Sequence, residues 1–508
     1  MKKYILLLII GLIVTLPSKG QPYEAVFNKV AEAYTINNDG STEYRYQKEL
    51  KLNTHRSFDS MYGETFIVYN PAYQTLKINE SYTKQADGTI VKAPNNAFNP
   101  SLPSFAADAP AYNKLTEMVV THTGTELGCT IYLDYTITTK AGYQAANDFY
   151  HQFNDYSPIK EYTLSITAPE DLFYQQTIKE SVQPQKNGNT YTWKFNNIPG
   201  IAPEFYIAQN TIPYIFASTE QSNEERAKAV NDLIAKAAEG SVNNYTGDNN
   251  LSSITNYVTK EVGRSRIPLA IANMIRTPQE VANSAYGTAA EKAALMISLL
   301  KAANIEESIV CTFPKNVPPS LLSLSNIYIK SGDEMVSPLD GAKGEIATLA
   351  YGNQIWANGN RMMVKVAPIK VTTNVVTDLN SDKDGVSKHA GYTVYRLPST
   401  DKGFDTWRIT TLNTQRKEAF EIPTLLNETD NYDITLPSGT SLASKPFNKS
   451  IINKVGAVEL QLINVDGKAK VTRSIRLNEQ VIPTSDYAQF RTLVNLWNDP
   501  AYRTIIAK

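Results

Sequence analysis

Tyr286-Gly-Thr-Ala-Ala-Glu-Lys-Ala-Ala-Leu-Met-Ile-Ser-Leu-Leu300 is the stretch on which the fold turns. Thr288 and Glu291 form a capping-box pair, in which each side chain takes the other residue's backbone N–H. Behind them Ala293, Met296, Ile297 and Leu300 recur at helical spacing. Asn304 stands where a left-handed C-terminal cap is wanted. The pattern predicts one helix over 288–303, then strands over 308–313, 326–330 and 335–337. Helices followed by antiparallel strands indicate an α+β unit.

Working back towards the amino terminus, three more helices precede this one. Thr277-Pro278-Gln279-Glu280 combines an N-cap, a proline at the first helical position and a closing Glu. Leu251, Ile254, Val258 and Val262 mark a second helix that Gly263 ends. Ser222-Asn-Glu-Glu225 opens the first, through Ala227, Val230, Leu233, Ile234 and Ala237 to a stop at Gly240. Before Ser222 the texture is β. Residues 77–92 read as a hairpin about Asp87-Gly88, and 114–138 repeat that pattern about Thr123-Gly124-Thr125. Asn187-Gly188 separates two more strands, and turn signals at such short spacing suggest a β-sandwich. Proline-rich 99–110 reads as a long surface loop. After Val366 strand signals return at 432–437, 458–464 and 468–477, and the chain closes on a helix over 486–497. The expected architecture is multidomain and mainly β with one α+β domain: a β-sandwich over 21–218, an α+β domain over 219–365, and a β-rich domain with a terminal helix over 366–508.

The 508 residues suit about three domains at roughly 150 residues each. With 42% hydrophobic and 19% charged residues the chain is ordinary globular material. A formal charge of −1 leaves no electrostatic footprint for nucleic acid. Thirty Tyr against 4 Trp and 4 His lean towards strands. Two cysteines, Cys129 and Cys311, exclude a disulfide-dense scaffold and a four-cysteine metal site.

Lys2 and Lys3, the apolar run 4–16 and small residues at Ser18 and Gly20 read as a secretory signal over 1–20, cleaved before Gln21. Loss of Lys2, Lys3 and Lys19 takes the formal charge from −1 to −4. No cysteine follows the apolar run, which argues against a lipoprotein, and no later segment approaches the roughly 18 apolar residues of a membrane span. The expectation is an exported protein, periplasmic or extracellular, in which Cys129 and Cys311 have an oxidising compartment and an unknown separation.

The 286–313 stretch resembles the transglutaminase-like, papain-like pattern of Gly-x-Cys at the head of an Ala/Leu-rich helix, with Ala302-Ala303-Asn304-Ile305 and the next strand fitting too. Flanking segments resemble an envelope family that carries an N-terminal sandwich of unknown function, this domain and a C-terminal β domain. Phe149-Tyr150, Ser157-Pro158-Ile159-Lys160, 163–169 and 198–204 look like its first domain. Tyr432-Asp-Ile-Thr-Leu-Pro437, 473–477 and 487–491 look like its last. Such domains activate the thiol by the helix dipole and a neighbouring His, which an acid orients. This chain departs from that pattern. Ala289 holds the Cys position and Asn326 the His position, whereas the acid remains as Asp340. There is no Cys between Cys129 and Cys311 and no His between His151 and His389. Cys311 reads as a buried strand residue, and Thr288 as a cap without a base. The resemblance implies a degenerate domain without catalytic residues, whose ligand cleft would be lined by Tyr286, Thr288, Ala289, Asn326 and Asp340.

Other constellations are weaker. Asn380-Ser-Asp382-Lys-Asp384-Gly385 matches the opening of a calcium loop, but its twelfth position is Gly391 rather than Glu, so a polar turn is the plainer reading. His55, His122, His151 and His389 lack metal-ligand spacing. The many tyrosines could form a sugar-stacking platform, or simply sandwich core. The reading is an exported, non-catalytic protein that binds an extended peptide or glycan or acts in envelope assembly, without cofactor. The alternatives are a carboxylate-based hydrolase or transferase and a purely structural spacer.

Overall fold

The computed structural model describes residues 23–143, 147–344, 352–363, 367–381, 384–410 and 412–508. The leader, residues 1–20, and Asp382 of the calcium-loop motif lie outside the described residues.

The first part of the chain is built on an eight-stranded sheet. Its centre is the parallel pair Ala25–Ile36 and Ile159–Thr167, flanked by antiparallel neighbours Thr42–Leu52 and Thr190–Ile198. Alternation along Ala25–Ile36 sends Ala25, Phe27, Val30, Tyr34 and Ile36 inwards. They pack with Leu164, Trp193 and Ile215 in one core. Two three-stranded sheets accompany the large one, Glu64–Tyr69 with Thr116–Thr121 and Phe98–Ser101, and Phe173–Gln176 with Tyr214–Ser218 and Asp148–Gln152. The Asp87-Gly88 hairpin forms as expected, with Tyr82 opposite Lys92.

Two expectations fail here. Residues 114–138 are not a hairpin: Thr116–Thr121 pairs with Glu64–Tyr69, whereas Thr130–Thr139 joins the large sheet between Thr42–Leu52 and Gln74–Lys84. The Gly124 turn carries the chain from one sheet to another. Nor do residues 99–110 simply float on the surface. Ala106 and Ala109 are buried with Tyr112 and Leu115 against Ile267 and Ala272 of the middle segment.

The middle segment places Asn223–Ala237, Leu251–Asn256, Pro278–Ser284 and Ala289–Ala302 beside a six-stranded sheet. Ser222, Thr277 and Thr288 each cap their helix as the sequence predicts, and Asn304 adopts a left-handed φ of 55°. Helix Ala289–Ala302 is buried on nearly all sides, which is why it reads apolar rather than amphipathic. Its Leu295, Met296 and Leu300 share a core with Ile309, Cys311 and Phe313 of the central strand Ser308–Pro314. That strand lies between Asn326–Ser331 and Asn353–Ala357.

The C-terminal part holds a five-stranded sheet in which Ile369–Asp378 runs parallel to Leu426–Thr435. Helix Tyr487–Asn498 packs Phe490, Leu493, Val494 and Trp497 onto it. This part also touches the first: Ile207 bridges Phe420, and Arg416 meets Glu204 at 3.3 Å with both side chains largely buried. The fold is therefore mainly β, with helices in the middle and one near the end. Among the described residues no helix is long and apolar enough to cross a membrane.

Candidate functional site

The head of helix Ala289–Ala302 is the most elaborately built point of the middle segment. Thr288 N–H donates to Glu291 Oε2 at 2.8 Å, and Glu291 N–H donates to Thr288 Oγ1 at 3.3 Å. Glu291 is fully buried and takes four further donors: Arg276 Nε at 2.7 Å, Arg276 Nη2 at 3.0 Å, the Arg276 backbone N–H at 3.2 Å and Tyr112 Oη at 2.6 Å. Burial alone would raise its carboxyl, but the bonds from Arg276, Tyr112 and the Thr288 N–H hold it below the ordinary range. Gly287 precedes the cap because a Cβ there would sit 3.0 Å from Val281 Cγ1 and 3.2 Å from Lys292 Cγ. The Thr288 hydroxyl is therefore an occupied cap.

A cavity of about 270 Å³ opens in front of this helix end. Thr288, Ala289 and Ala290 form one side of it, and Asn326 and Ile327 another. Its third wall is Arg264, Ser265 and Arg266. These arrive through a short parallel bridge in which Arg264 lies opposite Gly287, and Ser265 N–H donates to Gly287 O at 2.9 Å. Leu269, Leu321, Leu324 and Leu339 supply apolar surface. No Cys, His, Asp or Glu is among its described lining residues.

Three of the five expected cleft residues, Thr288, Ala289 and Asn326, meet in this cavity. The other two do not line it. The Tyr286 ring stacks under Arg276 at 4.4 Å, and its Oη accepts from the Ala111 N–H at 2.7 Å, tying it to the first part of the chain. Asp340 is exposed beyond Leu339 and accepts from Ala342 N–H at 3.1 Å. Behind the cavity Lys292 is 1% exposed and donates to Val262 O at 2.8 Å. Burial first, then Arg264, push its ammonium down to about 8, against the opposing pull of Asp340.

The remaining candidates are placed plainly. Cys129 and Cys311 are both buried and free, so they do not pair. Burial pushes the Cys311 thiol well up, away from any thiolate role. His151 Nδ1 lies 2.7 Å from Glu32 Oε1, and His122 Nε2 lies 2.8 Å from Thr65 Oγ1. Asn380 Oδ1 is taken by the Ser438 N–H at 2.8 Å and the Ser438 hydroxyl at 3.0 Å, a turn arrangement rather than an open cation ligand. Among the described residues no group of three His, Cys, Asp or Glu is arranged to hold a metal.

The sequence reading missed Arg264, Ser265, Arg266 and Arg276. Two arginines one residue apart after Gly263 were the available signal, but nothing local says that they face a helix 24 residues later. That placement comes from the bridge to Gly287.

Comparison with known proteins adds the relationship. Residues 38–202 match the model of a domain of unknown function with a solved structure, DUF3857, and residues 392–507 match a second such model, DUF3858. No curated protein matches the chain. A crystal structure from Parabacteroides distasonis ATCC 8503, described as a "putative protease", is 32% identical, with a TM-score of 0.82 over 95% of this chain and 99% of that one. This chain carries a DUF3857 match followed by a DUF3858 match, and with 32% identity over almost the whole of both chains it belongs to the family of the Parabacteroides distasonis protein.

Proposed function

We propose that this chain is an exported, non-catalytic binding protein of the cell envelope. In this reading residues 219–365 are a transglutaminase-like domain whose nucleophile and base have been replaced, between β domains over 21–218 and 366–508. The old cleft holds an extended peptide without cutting it. The observation that carries the reading is the cavity at the head of helix Ala289–Ala302, where a thiol–imidazole pair would stand and Ala289 and Asn326 stand instead. Thiol chemistry requires a thiolate, a base to take and return its proton, and oriented donors for the oxyanion. Only donors are supplied here, by the open helix end. The intact capping box and the paired Glu291 support a retained scaffold rather than a decayed one.

The description "putative protease" carried by the Parabacteroides distasonis relative makes hydrolysis the rival to test. Wild type, Ala289→Cys and Ala289→Cys/Asn326→His are incubated with a fluorogenic peptide library, and binding and cleavage are read separately. Binding without cleavage by the wild type is expected, with turnover gained only in the double variant. Wild-type cleavage abolished by Asp340→Asn would replace this reading with a carboxylate-based hydrolase.

A further inference from the structure

The cavity carries an uneven charge, and that unevenness names what it holds; the inference rests on the cavity being a ligand cleft. Arg264 and Arg266 both line it. The ion pairs of the middle segment among the described residues are Lys228–Asp232, Arg276–Glu291, Lys301–Glu307 and Lys343–Glu334, and none engages either arginine. Lys292 adds a third cation behind the same wall. The one nearby carboxylate inside the fold, Glu291, is fully committed to Arg276, Tyr112 and the cap. Asp340 stands outside the lining.

The helix adds to this positive side. The Thr288 hydroxyl serves Glu291, which leaves the N–H groups of Ala289 and Ala290 without intrahelical acceptors at the positive end of a 14-residue helix. A second observation is independent of the helix. Ser265 is 4% exposed and stands in the cavity wall, and its Oγ finds no hydrogen-bond partner. A buried hydroxyl left unpaired is costly, and a ligand is one way to satisfy it. Leu269, Leu321, Leu324 and Leu339 give the cavity an apolar side, next to the polar Thr288, Ser325 and Asn326. A volume of about 270 Å³ falls just below the roughly 300–1,000 Å³ of sites for drug-sized ligands. It suits one terminal residue.

We propose that the cleft captures the free C-terminal carboxylate of a peptide ending in an aliphatic residue. Arg264 and Arg266 receive the carboxylate, the Ala289 and Ala290 N–H groups and the Ser265 hydroxyl donate to it, and the leucine wall takes the last side chain. A glycan would set hydroxyls against those leucines, whereas a peptide end presents an anion and an apolar group together.

The test uses the full chain and two dye-labelled heptapeptide pools ending in Leu or Val, one with a free carboxylate and one amidated, read by fluorescence polarisation. The free acids are expected to bind at least tenfold more tightly. In Arg264→Gln/Arg266→Gln that ratio falls to near one, and Arg264→Lys/Arg266→Lys keeps part of it. Unchanged thermal melting shows that both variants are folded. N-acetyl-leucine is expected to compete, and its amide is not.

Equal binding of both pools, blocked by Ala289→Trp, would overturn carboxylate capture and leave the peptide cleft standing. Binding of neither pool, or binding that Ala289→Trp does not touch, would overturn both. Displacement by inorganic phosphate but not by N-acetyl-leucine would overturn the peptide terminus in favour of a phosphate ligand.

Discussion

The middle and C-terminal parts of this protein bury carboxylates in opposite ways. Glu291, at the helix head, has both oxygens engaged by Arg276, Tyr112 and the Thr288 N–H. In the C-terminal sheet Glu428 and Asp430 are as fully buried, yet Glu428 Oε1 and both Asp430 oxygens find no partner in hydrogen-bonding geometry. Arg473 lies between these acids and Trp497. It stacks 3.9 Å over the indole and donates Nη2 to Trp497 O at 2.6 Å, but leaves Nε and Nη1 unpartnered. The electrostatic consequence follows. Completed bonds hold the Glu291 carboxyl down, whereas burial, with Asp430 and Asp405 adding to it, pushes Glu428 up to about 7 against the Phe404 N–H. A satisfied network locks geometry; an incomplete one favours the neutral acid and makes stability follow pH.

The largest effect should come from breaking the completed network. Glu291→Ala strands the Arg276 guanidinium and removes one half of a capping box. We expect a loss of about 3–5 kcal/mol in urea unfolding. A loss under about 1 kcal/mol would show that the network is not what holds the helix head. Next comes Gly403, which has a φ of 65° and whose added Cβ would lie 2.1 Å from Glu428 Oε2. Gly403→Ala is expected to cost about 1–3 kcal/mol, and Glu428→Gln/Gly403→Ala should not recover the loss, because the amide is no smaller.

The pH response gives a sharper distinction at smaller amplitude. A Glu held near 7 in the fold binds more protons than its unfolded counterpart at 4.5. Its contribution is therefore fully present below about pH 4.5 and is lost as pH rises through about 7. Urea midpoints of the wild type should carry this decline between pH 5 and 8, and Glu428→Gln should reduce it. Glu291 has the reverse sign: its depressed carboxyl supports the fold above its unfolded value and loses that support as pH falls through the folded one. An identical slope in Glu428→Gln and the wild type would remove Glu428 from the comparison. The smallest effect is expected at Cys311. It is 0% exposed with a thiol pushed up by burial, so a thiol reagent should leave it unmodified in the native protein and label it only in denaturant.

Local chemistry was legible in the chain. The caps at Ser222, Thr277 and Thr288, the left-handed Asn304 and the Asp87-Gly88 turn each depend on residues within four positions of one another, so composition and spacing report them directly. Thr288, Ala289 and Asn326 were joined by the family resemblance rather than by local spacing, and the three line one cavity. The local view misplaced 114–138, because a turn signal marks where a chain bends and says nothing about which strand it then joins. It also treated the 99–110 segment as surface, since prolines and small residues look alike whether they face water or an apolar neighbour.

Other features were decided only when distant segments met. Tyr112 reaches Glu291 across 179 positions, and Arg276 reaches it across 15. Arg264 faces the helix head through its bridge to Gly287. Burial and partnership set the charge state of a carboxylate, and both belong to the packed molecule. Glu291 and Glu428 are the same residue type in the chain; the fold surrounds one with donors and leaves the other short of them.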